Sequence, residues 1–156
     1  MIGEDAIAFL RSRPISMLCT RDARNHPAAH ECFLADIQPT RVIGLVAAHL
    51  ARNLEENVRH NGAAALVVSR QPGDHRSVQL KGRINELDGP GPFTELFAAT
   101  RPFIDSYAQF VGEDRARDLW FRISLQPMYR LRLDVAQAFD QTPGPGAGRL
   151  IGPEGR

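Results

Sequence analysis

Ser69-Arg70-Gln71-Pro72-Gly73-Asp74-His75-Arg76-Ser77-Val78-Gln79-Leu80-Lys81-Gly82 decides how this chain is read, because it joins two strand-like runs through a basic loop. Upstream, residues 63–68 are continuously apolar. Downstream, Val78, Leu80, Gly82 and Ile84 alternate with Gln79, Lys81 and Arg83, the period of two expected of a strand with one buried face. Pro72-Gly73-Asp74 marks the turn between them. The hairpin holds His75, Arg76 and Ser77 at the start of a strand, where two bases and a hydroxyl suit a phosphate or another anion. A solvated hairpin with a charged edge would carry the same residues.

Working outward, residues 4–12 place Ile7, Phe9 and Leu10 at helical spacing, ended by Pro14. A first strand is expected over residues 15–20, a polar turn over 21–27, and a second strand over 28–36. A third strand over 42–47 leads directly into a helix over 50–60, with Leu50, Leu54 and Val58 as its apolar stripe and Glu55 and Arg59 paired on its solvent side. Asn61-Gly62 reads as a left-handed helix stop. Asp88-Gly89-Pro90-Gly91-Pro92 reads as a connector. Helices are expected between residues 93 and 121, kinked or interrupted at Pro102, with their phenylalanines and Trp120 read as core rather than a flavin-stacking cluster. Tyr129, Leu131 and Leu133 alternate with Arg130, Arg132 and Asp134 in a closing strand. The tail, residues 141–156, is rich in proline and glycine and has too few side chains to bury a core of its own.

Composition narrows the function classes. At 156 residues the chain is expected to be a single domain. Nineteen Lys and Arg against 18 Asp and Glu leave a net charge of +1, so no broad electrostatic footprint for nucleic acid exists and any anion site must be local. Lys81 is the only lysine, and arginine supplies the remaining cations. No apolar run reaches the ~18 residues of a membrane span and no signal-peptide pattern opens the chain, so a cytoplasmic location is expected. Cys19 and Cys32 fall out of register on neighbouring strands, Cys19 lying opposite Ala28 or Ala29, which predicts free, buried thiols. P-loop, dinucleotide-fingerprint, His-Glu-x-x-His and nucleophile-elbow patterns are absent. The five histidines show no metal-ligand spacing: His26 and His30 on one strand would lie ~13 Å apart, His26 reads as a turn residue and His60 as a helix-end cation.

Four landmarks in order, Pro14 to Asp22, Arg24-Asn25-His26-Pro27, Arg52-Asn53-Leu54 with Asn61-Gly62, and Val78 to Gly82, resemble those of the pyridoxamine 5′-phosphate oxidase-like, FMN-binding split-barrel family. The resemblance spans roughly residues 5–135. With the alternating strands it implies a mainly β fold with flanking helices, a six- or seven-stranded antiparallel split β-barrel with Greek-key connections over residues 1–140. It further implies a homodimer with ligand clefts at the subunit interface, consistent with apolar faces such as Met17, Leu18, Phe33 and Leu34 that one barrel is not expected to bury. The tail would lie against the partner.

The resemblance implies FMN, gripped at its phosphate by basic and hydroxyl side chains while the flavin carries the redox chemistry. By position, Arg52 matches a basic phosphate ligand at the helix start, Asn53 stands where lysine is usual, and Ser77 stands where a glutamine contacts the flavin. His49, His75 and Arg76 flank these. The chain departs from the oxidases themselves. Val46-Ala47-Ala48 replaces a hydroxyl-bearing strand end, His30 and Ala35 stand where Arg and Lys would approach the ring, and Arg130-Leu131-Arg132 replaces an Arg-x-His substrate motif. The resemblance therefore implies an FMN-binding oxidoreductase that is not a true pyridoxamine phosphate oxidase. The alternative is a non-flavin module that acts as an interaction protein or binds another small ligand, such as haem with His49 or His30 as axial ligand.

Overall fold

The computed structural model describes residues 1–12, 15–70 and 74–152. Helix α1 (Glu4–Arg11) precedes strands β1 (Ile15–Arg21), β2 (Pro27–Glu31), β3 (Phe33–Gln38) and β4 (Arg41–Ala47). A 3-10 turn (Ala48–Leu50), α2 (Leu54–His60), β5 (Ala63–Ser69), β6 (Ser77–Gly91), α3 (Glu95–Val111), α4 (Glu113–Ser124) and β7 (Met128–Asp140) follow. The seven strands form one antiparallel sheet in the order β2-β1-β5-β6-β7-β4-β3, and the jump from β4 over β7 and β6 to β5 is the expected Greek-key connection.

The expected second strand is two strands. Cys32 breaks it by donating its N–H to the Ser16 carbonyl and accepting the Ser16 hydroxyl at its own carbonyl. On one side of this bend β2 pairs with β1, and on the other β3 pairs with β4. The sheet order thus begins and ends with the two halves of one bent segment, which curls the sheet into a half-barrel. Leu18, Leu34, Val42, Leu66, Leu80, Leu131 and Leu133 fill the concave side. Strand β4 is buried on both faces, since Leu45 and Ala47 pack with Phe33, Leu96 and Met128 under α3, and this explains its unbroken apolar run.

Other expectations are corrected by packing. Leu18, Leu34 and Phe33 are buried within the single chain, leaving only Met17 of that set exposed. The segment 88–91 is not a loop: β6 continues to Gly91, because its far end pairs with the start of β7 at Met128. Helix α3 runs through position 102 without interruption and stops at Gly112, whose φ is 87°. Phe97, Phe110 and Phe121 are exposed rather than core, while Leu96, Ala99 and Ile104 are buried. The tail folds back on its own barrel, with Ile151 N–H donating to Ala138 and Gly148 N–H to Asp140. Residues 71–73 of the turn and Pro14 lie outside the described residues.

The remaining features follow their local signals. Hairpin β5–β6 pairs Ser69 with Ser77, Cys19 lies opposite Ala29, and both cysteines are free, with Cys32 buried and Cys19 half-buried. Gly62 ends α2 at φ 61°. Among the described residues, no helix is long and apolar enough to cross a membrane.

Candidate functional site

Strand β4 leaves the sheet at Ala47, and Ala48 N–H donates to the Pro127 carbonyl just ahead of β7 (2.9 Å). The chain then tightens into the 3-10 turn, with Ala51 N–H on the Ala48 carbonyl and Leu54 N–H on that of Ala51. Asn53, at φ 62°, takes the left-handed conformation that asparagine tolerates, and Leu54 anchors the following helix in the core. This geometry puts His49, Arg52 and Asn53 on the surface. Neither His49 nor Arg52 makes an ion pair or side-chain hydrogen bond among the described residues. The helix begins at Leu54, after Arg52 rather than at Leu50, and its seven residues are too few to add a useful positive end.

The turn is held from both sides. His30, buried on β2, sets Nδ1 3.2 Å from the Leu50 carbonyl. Tyr129 on β7 donates its hydroxyl to Glu55 (2.9 Å), which takes the place of the expected Glu55–Arg59 pair, and this bond to a carboxylate raises the phenol above its ordinary pKa. Asn57 of α2, also buried, donates to the Thr20 hydroxyl of β1 (2.9 Å). Beside the turn, Pro127 forms one wall of an open cleft of about 430 Å³ whose other walls include Phe93, Leu96, Phe97 and Leu125. That volume lies within the range of small-molecule sites. Its aromatic lining comes from Phe93, in the β6–α3 connection, and from Phe97 of α3, which also meets Trp120 at a ring separation of 5.4 Å.

His75, Arg76 and Ser77 do not join this site. They sit where β6 begins, and the 48–53 turn lies where β6 ends, so about 40 Å of strand separates the two groups along the sheet. Arg76 is also committed elsewhere: its guanidinium stacks 4.9 Å over Phe9 and meets the Asp5 carboxylate at 3.3 Å. The Ser77 hydroxyl is shared with that of Ser69 (2.8 Å), and its N–H goes to Thr142 (3.1 Å). His75 is exposed at φ 51°. Arg130 is likewise spent on Asp88 and Glu95, and Arg132 on Glu86 and Asp134. His30 is too deeply buried to meet a ligand as large as haem. Tyr129 and Asn57 carry no signal in the sequence, where each reads as an ordinary strand or helix residue, and Phe97 reads there as core rather than as part of a flavin-stacking cluster.

The curled sheet and its crossover can be matched in solved structures. HupZ of Group A Streptococcus is 15% identical, with 95% of this chain and 100% of that chain covered and a TM-score of 0.56. A Clostridium acetobutylicum protein of the pyridoxinephosphate oxidase family, related to general stress protein 26 of B. subtilis, is 11% identical over 89% and 87% of the two chains (TM-score 0.55). The fold is that of the pyridoxamine 5′-phosphate oxidase-like split barrels. HutZ, a heme storage protein from Vibrio cholerae, shares this fold at 18% identity over 90% and 95% (TM-score 0.51). No family model and no curated protein sequence matches the chain.

Proposed function

We propose that this split barrel binds FMN at the 48–53 turn, as an oxidoreductase distinct from the pyridoxamine phosphate oxidases. The observation that carries the reading is the pairing of an uncommitted, exposed Arg52 with an apolar, aromatic-lined cleft that starts at Pro127, the residue to which the turn is bonded. FMN needs a cation for its phosphate and an apolar wall for its ring, and these residues fit both demands. Arg52 and His49 would meet the phosphate, with Asn53 beside them. Val46 and Ala47 are buried and offer no hydroxyl, so the grip rests on fewer charge-assisted bonds than a phosphate site can make. When bound, the flavin supplies hydride or electron transfer; the chain's part is to hold and orient it and to exclude water along the cleft.

The cleft is open, and Leu50, Phe97, Phe121 and Leu125 are exposed. A second copy of the chain covering this apolar surface would close it, which supports a homodimer. Haem is the second reading. It is favoured by the exposed imidazole of His49, which has no hydrogen-bond or ion-pair partner among the described residues, and by the shared fold of a heme storage protein. The absorption spectrum of protein purified without added cofactor, followed by titration with FMN and with haemin, tests both. Saturable FMN binding weakened by Arg52→Ala supports the first reading. A Soret band lost in His49→Ala supports the second and overturns the first.

A further inference from the structure

We propose that His30 is a positioning residue, a buried clamp that holds the 48–53 turn in the shape that presents His49 and Arg52. A backbone carbonyl only accepts hydrogen bonds, so the 3.2 Å contact to Leu50 places the ring's proton on Nδ1. The ring is 2% exposed and belongs to β2, whereas Leu50 belongs to the turn, so one bond ties the ligand-bearing segment to the barrel. With its proton on Nδ1, the ring leaves Nε2 an acceptor, and Nε2 is buried with no partner. A second buried acceptor without a partner, Asn57 Oδ1, lies on the helix that packs against β1, the strand paired with His30's own.

Only the effect on affinity rests on the FMN reading; the clamp has readouts of its own. In ¹⁵N-labelled wild type, NMR should show His30 as the Nδ1–H tautomer. The Nε2–H tautomer overturns the clamp whether or not any variant folds. His30→Phe keeps a ring but donates nothing, and it should speed amide exchange at Ala51 and Leu54 about tenfold while weakening FMN by a similar factor. His30→Asn keeps a donor near the Nδ1 position and should restore both to within about threefold. Unchanged exchange at Ala51 and Leu54 in folded His30→Phe overturns the clamp, as does failure of His30→Asn to restore it. If wild type binds no FMN, the ligand reading falls, and the tautomer and exchange still judge the clamp.

Discussion

Gly82 closes the landmark Val78–Gly82, and replacing it with alanine tests why that glycine is there. It sits at a register shift in β6, opposite Val135 of β7. A Cβ at this position would lie 1.9 Å from the Asp134 carbonyl oxygen and 3.1 Å from Val135 Cα, both backbone atoms that cannot rotate away. To reach an ordinary contact the two strands must part by about 1.5 Å, which disrupts roughly two ladder hydrogen bonds at ~1 kcal/mol each and adds ~1–3 kcal/mol of overpacking strain. Gly82→Ala should therefore cost about 3–5 kcal/mol, or about 6–20 °C in Tm for a chain of this size. Gly91→Ala, in the same strand but with nothing within 4 Å of its added Cβ, is the internal control and should change stability by less than about 0.5 kcal/mol. Thermal and urea melts of the two variants decide the matter. Equal melting temperatures would refute the close-approach argument and, with it, the β6–β7 register.

Arg52→Ala should weaken FMN about ten- to a hundredfold, the worth of one or two charge-assisted bonds, measured by flavin fluorescence titration, while Arg76→Ala stays within threefold because Arg76 serves Asp5 and Phe9. Burial pushes the Cys32 thiol up to about 12 from 9.0, so the folded state keeps a proton that the unfolded chain releases. Stability should accordingly fall by about 1.4 kcal/mol per pH unit between roughly pH 9 and 12, and denaturant melts of Cys32→Ala should lack that component of the slope. The Thr142 hydroxyl and then its N–H hold the Asp140 carboxyl below its ordinary range. That contact strengthens tail docking above about pH 4 and is lost as pH falls through the lowered value, so proteolysis or amide exchange of residues 141–152 should rise there, and Asp140→Asn should show the rise already at neutral pH.

Periodicity and turn chemistry made most of the fold legible. The alternation of Val78, Leu80 and Ile84, the turn at Asp22–His26, the helix stop at Gly62 and the register placing Cys19 against Ala29 are local signals, each set by neighbours in the chain. The bend at Cys32 was not legible, because its cause is Ser16, sixteen residues away, and Ala28–Asp36 taken alone is an acceptable single strand. Spacing misled for Phe97, Phe110 and Phe121: it says that one face is apolar but not whether another element covers it. Half of the candidate site was visible as Arg52 and its neighbours. The other half, the cleft beside Pro127, exists only because β7 returns beside β4. Within one chain Arg76 and Ser77 stand at the opposite end of β6 from the Arg52 turn, and residue types suited to phosphate say nothing of the strand length that separates them. What the sequence determined by itself was therefore the set of strands and turns and the kind of chemistry available. Tertiary structure decided which of those side chains remain free to act, because hydrogen bonds and ion pairs from distant segments consume some of them and leave others, such as Arg52, open to a ligand.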